Sequence, residues 1–328
     1  MGDPLADHVS AGGVAGTGRA VPAPAARGHL AMLAFSALVA GSFPLGAAAA
    51  DDISPLALNA ARFALAAAIL GLAVVATRSR GGGMRRADPL AAPWRYVVLG
   101  ALFSTYFVLM FEGLKTAAPV SAAAVFTLTP LLTAGFAWLL LRQGTGPRLA
   151  GALALGAAGA LWVIFGGRLS GLAGLGVGRG EAVYFLGCVA HALYTPAVRL
   201  LNRGERALAF AFGTTVAAGA TLAVVGMPAI LATDWARLPA AVWVAIVYTA
   251  VFASAATFTL LQYASLRLPA SKVMAYTYLV PAWVAGWEVA LGGALPSARL
   301  MPGVALTLIA LALLLREEPA SAPDPTTG

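Results

Sequence analysis

Few side chains in this sequence can do chemistry, and their positions matter more than their number. Arg62, His191, Glu112 and Glu288 all stand inside, or at the rim of, long apolar runs. A charge at the centre of a lipid-embedded helix costs a few kcal/mol, so each such residue needs a partner, a wet cavity or a ligand. Arg62 lies seven residues beyond Pro55, roughly 10 Å along a helix, which is too deep for its guanidinium to snorkel to water. Two roles stay open to it: holding an anionic group of a substrate, or pairing with Glu112 or Glu288. His191 falls near the middle of its run, where an imidazole can relay protons or touch substrate. Tyr194 follows one turn later, and Tyr276 stands near Pro281. Glu288, a carboxylate able to carry a proton, has Trp283 and Trp287 on adjacent turns, so Trp283, Trp287 and Glu288 could line one wall. The candidate substrate-binding residues are therefore Arg62, His191, Tyr194, Tyr276, Trp283 and Glu288.

Other chemistries find little support. The single cysteine, Cys188, permits neither a disulfide framework nor a cysteine-based metal site. Three histidines in all, with no HxxxH spacing and no paired carboxylates, do not build a metal centre or a lipid-modifying active site. No phosphate-cradling GxxxxGK[ST] loop is present, which argues against ATP drive. No cofactor or metal is expected.

What positions the candidates is set by composition. The chain is 60% hydrophobic and only 10% charged, too little charge to cover a soluble protein of this length. The bilayer is its solvent. A net charge of +8 would suggest nucleic acid in a soluble protein, but here the basic residues sit between apolar runs and set orientation instead.

Runs long enough to cross the hydrocarbon core as helices number ten. They lie at about 29–50, 55–77, 94–114, 117–141 and 148–167, then at 181–201, 207–231, 240–262, 269–292 and 300–315. Residues 1–28 read as a disordered tail without the apolar core of a signal peptide. A Gly-rich connector, 168–180, divides a first repeat, 29–167, from a second, 181–315, and 316–328 form a second tail. With the N-terminus cytoplasmic, fifteen Lys and Arg fall inside and five outside, so both termini are expected in the cytoplasm of a cell with this protein in its inner (plasma) membrane.

One stretch occurs twice. Residues 111–130, FEGLKTAAPVSAAAVFTLTP, and 263–281, YASLRLPASKVMAYTYLVP, share an aromatic start, a basic residue at Lys115 and Arg267, and two prolines, Pro119 and Pro130 against Pro269 and Pro281. Five spans per half make the second copy run the opposite way through the membrane. The expected fold is an all-α membrane protein of ten transmembrane helices in two inverted five-helix repeats, with a substrate site between them near the midplane. Pro44, Pro130, Pro196 and Pro281 interrupt spans and each frees a backbone carbonyl at depth. The small residues of GALALGAAGALWV (151–163) let helices approach closely.

In this order and duplication the chain resembles the drug/metabolite transporter superfamily, and within it the ten-span carriers with two EamA-type domains. AGSFPLG (40–46) is similar to the family's first-span Gly-Ser stretch, and SPLALNAARFALAAAIL (54–70) to its second span with an early Pro and an Arg further in. The family often closes its fourth and ninth spans on Leu-Gly-Glu. Here Gln143 and Gly293 stand in place of the carboxylate, so no role for it transfers. The resemblance implies a secondary active transporter exporting small metabolites such as amino acids, with protons as coupling ion and a homodimer both compatible with it. The alternatives are a multi-span enzyme acting on lipids and a channel or other non-transport membrane subunit.

Overall fold

The computed structural model of the protein describes residues 24–78, 92–168, 177–295 and 297–316. Most of the expected tails, and the connector over 169–176, lie outside the described residues. Among the described residues the chain is helical, and nine helices are long and apolar enough to cross a membrane. The first eight spans are Ala25–Ala49, Pro55–Thr77, Trp94–Gly113, Pro119–Leu141, Pro147–Ile164, Arg179–Leu201, Ala207–Val225 and Ala240–Ser265. The tenth is Ala298–Arg316. The ninth expected span is present as three short pieces, Ala270–Ala275, Tyr276–Leu279 and Val280–Ala290, which is why it does not count among the long helices.

Proline sets several of the beginnings. Pro119, Pro130, Pro147 and Pro281 each occupy the first turn of a helix, where the missing N–H would have had no partner anyway. The first helix starts at Pro24 and so takes in residues 24–28, which the sequence reading gave to the tail.

Packing between spans follows the inverted symmetry. The third span packs on the sixth and the first on the eighth; the third also meets the seventh as the second meets the eighth; the fourth meets the sixth as the first meets the ninth. Exchanging repeats turns each contact into its partner. The second–seventh and fifth–tenth contacts map onto themselves and lie on the symmetry axis. In a bilayer such contacts depend on close approach rather than on expelling water. At the fifth–tenth crossing Gly159 and Gly303 face each other, and a Cβ on either would sit 2.6 or 2.7 Å from the other's carbonyl oxygen.

Two faces emerge from the ends of the helices. On one, which carries the first helix start, Gly28 meets Leu268 and Arg95 meets Leu201 and Glu205. On the other, Gly113 meets Gly180 and Trp162 bonds to Arg299. They are called below the terminal face and the opposite face.

Candidate functional site

Arg62 is fully buried, with 0% of its surface exposed. Its partners come from the eighth span, which widens at Val251–Ala256 into a π-helical turn. Such a turn shifts the backbone ladder and frees groups for other partners, a device common at functional sites. Arg62 uses it: Nε donates to Ser254 Oγ at 2.6 Å and Nη2 to the Ala253 carbonyl at 2.7 Å. Nη1 reaches Asn59 Oδ1 at 3.4 Å, and the guanidinium lies over the Phe107 ring at 3.6 Å from its centroid. Three of five N–H groups are thus engaged. The expected carboxylate partner is not found among the described residues, because Glu112 is taken by Lys115, one turn on, at 2.7 Å. Arg62 is therefore held by neutral oxygens and a ring face, and its charge has no counter-ion among the described residues.

Next to it stands an aromatic box. Phe103 meets Phe107 edge to face and Phe258 at a tilt, and His191 lies among Phe103, Tyr106, Phe126 and Tyr194 with centroids 4.3 to 6.2 Å away. Both ring nitrogens of His191 lack a hydrogen-bond partner, although the residue is 1% exposed. Burying a polar group unpaired is costly. Tyr194 is better provided: its hydroxyl accepts from Gln262 Nε2 at 2.9 Å, while Gln262 Oε1 stays unpartnered. Tyr106 shares a hydrogen bond with Tyr184 at 3.1 Å. No carboxylate lines this box among the described contacts; what it offers is rings, one cation at the edge and unsatisfied imidazole and amide groups.

The duplicated stretch reaches the same region. The fourth span breaks at Thr127–Leu128 and the ninth at Tyr276–Leu279, each just ahead of its proline. The two breaks touch, Thr129 Oγ1 donating to Thr277 Oγ1 at 3.3 Å. Pro196 also acts as its type dictates. It cannot bond the Ala192 carbonyl four residues back, and Thr133 Oγ1 of the fourth span donates to that oxygen instead, at 3.3 Å.

Of the six candidate residues, Arg62, His191 and Tyr194 meet at the contact of the two repeats. The other three are on the ninth span and elsewhere. Tyr276 meets His29 Nδ1 at 3.1 Å toward the terminal face. Trp283 is 42% exposed and bonds Ser36 Oγ at 3.3 Å. Glu288, two residues from the end of its helix, is half-buried, so it stands apart from both Arg62 and His191. Sequence reasoning missed Ser254, Gln262 and the π-helical turn. Ser254 and Gln262 looked like ordinary small or amphipathic residues, and nothing in VFASAA marks a widened turn.

Comparison with known proteins gives a consistent result. The EamA-like transporter family model matches the chain twice, over residues 26–165 and 178–316. A curated relative described as the uncharacterized transporter YyaM of Bacillus subtilis (strain 168) is 28% identical over 254 residues, which is 77% of this chain and 82% of the relative. A protein of known crystal structure superposes with a TM-score of 0.63 at 24% identity, over 88% of this chain and 95% of that one.

Proposed function

The chain belongs to the EamA-like transporter family, and from that premise we propose that it is a secondary carrier exporting small metabolites, amino acids or related compounds, across the plasma membrane. The terminal face is then the cytoplasmic one. Two inverted repeats rock around a site that each face reaches in turn.

The observation that carries this reading is the site's incompleteness at the contact of the repeats. Among the described residues Arg62 is buried without a counter-ion, and His191 and Gln262 of the adjoining aromatic box keep unsatisfied nitrogens and oxygen. A substrate bearing a carboxylate supplies the charge that Arg62 lacks, as a bidentate guanidinium partner does. Its remaining polar atoms find His191 and the Tyr194–Gln262 pair, and the rings around them take its apolar part. Tyr276 and Glu288 flank the route toward the two faces, and Trp283 borders it on the side of the first span. His191 is the proton-carrying group if efflux is coupled to the proton gradient, taking its proton in the conformation that opens the site to water. Such a site has no need of a cofactor.

Cells overproducing the protein, challenged with toxic analogues of amino acids and other small carboxylates, test the reading. Resistance to at least one carboxylate-bearing analogue, lost in Arg62→Ala at equal membrane abundance, is the expected result. Full resistance in Arg62→Ala would remove Arg62 from the site.

A further inference from the structure

The two faces of this structure are not in the same state. On the terminal face the start of the third span is latched to the connection between the sixth and seventh. Arg95 Nη2 pairs with Glu205 Oε1 at 2.8 Å, the two side chains being 1% and 4% exposed. Arg95 also donates to the carbonyls of Leu201 at 2.6 Å and Ala92 at 3.2 Å. The Glu205 carboxylate further accepts from Tyr96 Oη at 3.4 Å and from the Arg203 amide at 2.6 Å. Burial on its own would raise the Glu205 carboxyl, but Arg95 and the Arg203 amide hold it below the usual carboxylate range. The pair is close and shielded from water, although Arg95 Nη2 makes no hydrogen bond of good geometry.

Symmetry shows which connection on the opposite face answers this one. The second family match begins 152 residues after the first, at 178 against 26, so Glu205 falls on Ile53, beside Asp52, in the equally short connection between the first and second spans. By the same offset Arg95 falls on Val247, inside the eighth span; the arginine on the approach to that span is Arg237, which precedes Ala240. On this face Ile53 packs in one cluster with Trp235 and Leu238, but no ion pair joins the two elements among the described residues. A pocket of about 430 Å³ separates Asp52 and Ser54 on one wall from Thr233, Asp234, Arg237 and Leu238 on the other. Arg237 rests on its neighbour Asp234 at 3.4 Å, with 88% and 60% of the two side chains exposed.

We propose that Arg95–Glu205 and Arg237–Asp52 are the two gates of the transport cycle, formed alternately, with the first closed and the second open in this structure. The proposal rests on the alternating access put forward above and adds the residues that close each face. When the repeats rock, Arg237 exchanges Asp234 for Asp52 and the pocket closes, while Arg95 and Glu205 part into water. Ion pairs suit this task because the gain of pairing roughly offsets the loss of hydration. Neither state is then locked.

Cysteine accessibility tests it in a Cys188→Ala background. Val198→Cys, buried beneath the terminal-face latch, and Thr233→Cys, lining the opposite pocket, are each labelled with a membrane-impermeant maleimide in vesicles of known orientation. The expected wild-type result is fast labelling at Thr233→Cys and slow labelling at Val198→Cys. Adding Glu205→Gln should speed the second and slow the first, the ratio of the two rates changing by about tenfold, the response to roughly 1.4 kcal/mol of gate energy. Asp52→Asn, in an exposed connection where no buried contact is lost, should further slow Val198→Cys and halt the transport cycle. The charge swap Arg95→Glu with Glu205→Arg should bring labelling back toward wild type. Reciprocal wild-type labelling that neither Glu205→Gln nor Asp52→Asn moves would overturn the gates and leave alternating access standing. Labelling that rises and falls together on both faces would overturn alternating access, and the gates with it.

Discussion

At the scale of single residues, the chemistry rests on side chains buried without partners. Arg62 is expensive to bury, and its neutral hydrogen bonds to Ser254 and the Ala253 carbonyl fix its geometry without cancelling its charge. That combination favours an anion in the finished site. His191 has the complementary property: rings on several sides fix its plane, and no bond fixes its tautomer. His191→Gln keeps a hydrogen-bonding side chain of similar reach but cannot change charge. In proteoliposomes it should abolish acceleration of flux by a proton gradient while leaving exchange of substrate for substrate within about threefold of wild type, a difference of roughly 0.65 kcal/mol. Gradient-driven flux surviving in His191→Gln would rule this ring out as the proton carrier.

Helices carry the next layer of the account. The fifth and tenth spans cross at Gly159 and Gly303, each with the other's carbonyl where a side chain would start. Overpacking such a contact costs about 1–3 kcal/mol. Gly159→Leu should therefore lower the thermal midpoint of the detergent-purified protein without changing which substrates it recognises, since this crossing is remote from the aromatic box. An unchanged midpoint would mean the two spans do not meet there. Much of this level was legible in advance. Pro130 and Pro281 recur in both halves of the sequence, and the structure breaks the fourth and ninth spans just before them, as a residue without an N–H requires. The small residues of 151–163 marked the close crossing. The π-helical turn at Val251–Ala256 was not legible, because a widened turn depends on what its freed carbonyl meets. Here that partner, Arg62, lies 191 residues away in the chain. For the same reason Arg62, His191 and Tyr194 could be singled out one at a time by their cost in lipid, while their joining through Ser254 and Gln262 could not. Glu112 shows the opposite failure: it looked available to Arg62, but a lysine one turn away claims it.

For the whole molecule, the governing fact is a chain that folds as two copies of one unit in opposite directions. Span contacts come in symmetry-related pairs, whereas the polar residues do not: on the offset between the two family matches, Arg62 is answered by Thr214 and His191 by Val39. On the mechanism proposed above, symmetry supplies two conformations of nearly equal energy, and the residues that break it supply the site they share. One face latched by a buried ion pair and the other open at a pocket is the arrangement expected of one of those conformations. A ligand that binds such a site must speed the exchange between them when present on both sides. The most direct measurement is counterflow in proteoliposomes, using a carboxylate-bearing substrate taken from the analogue screen. The account predicts saturable uptake of labelled substrate, accelerated when unlabelled substrate is trapped inside, and loss of both saturation and acceleration in Arg62→Ala. Flux that rises linearly with concentration, ignores trapped substrate, or survives intact in Arg62→Ala would contradict it.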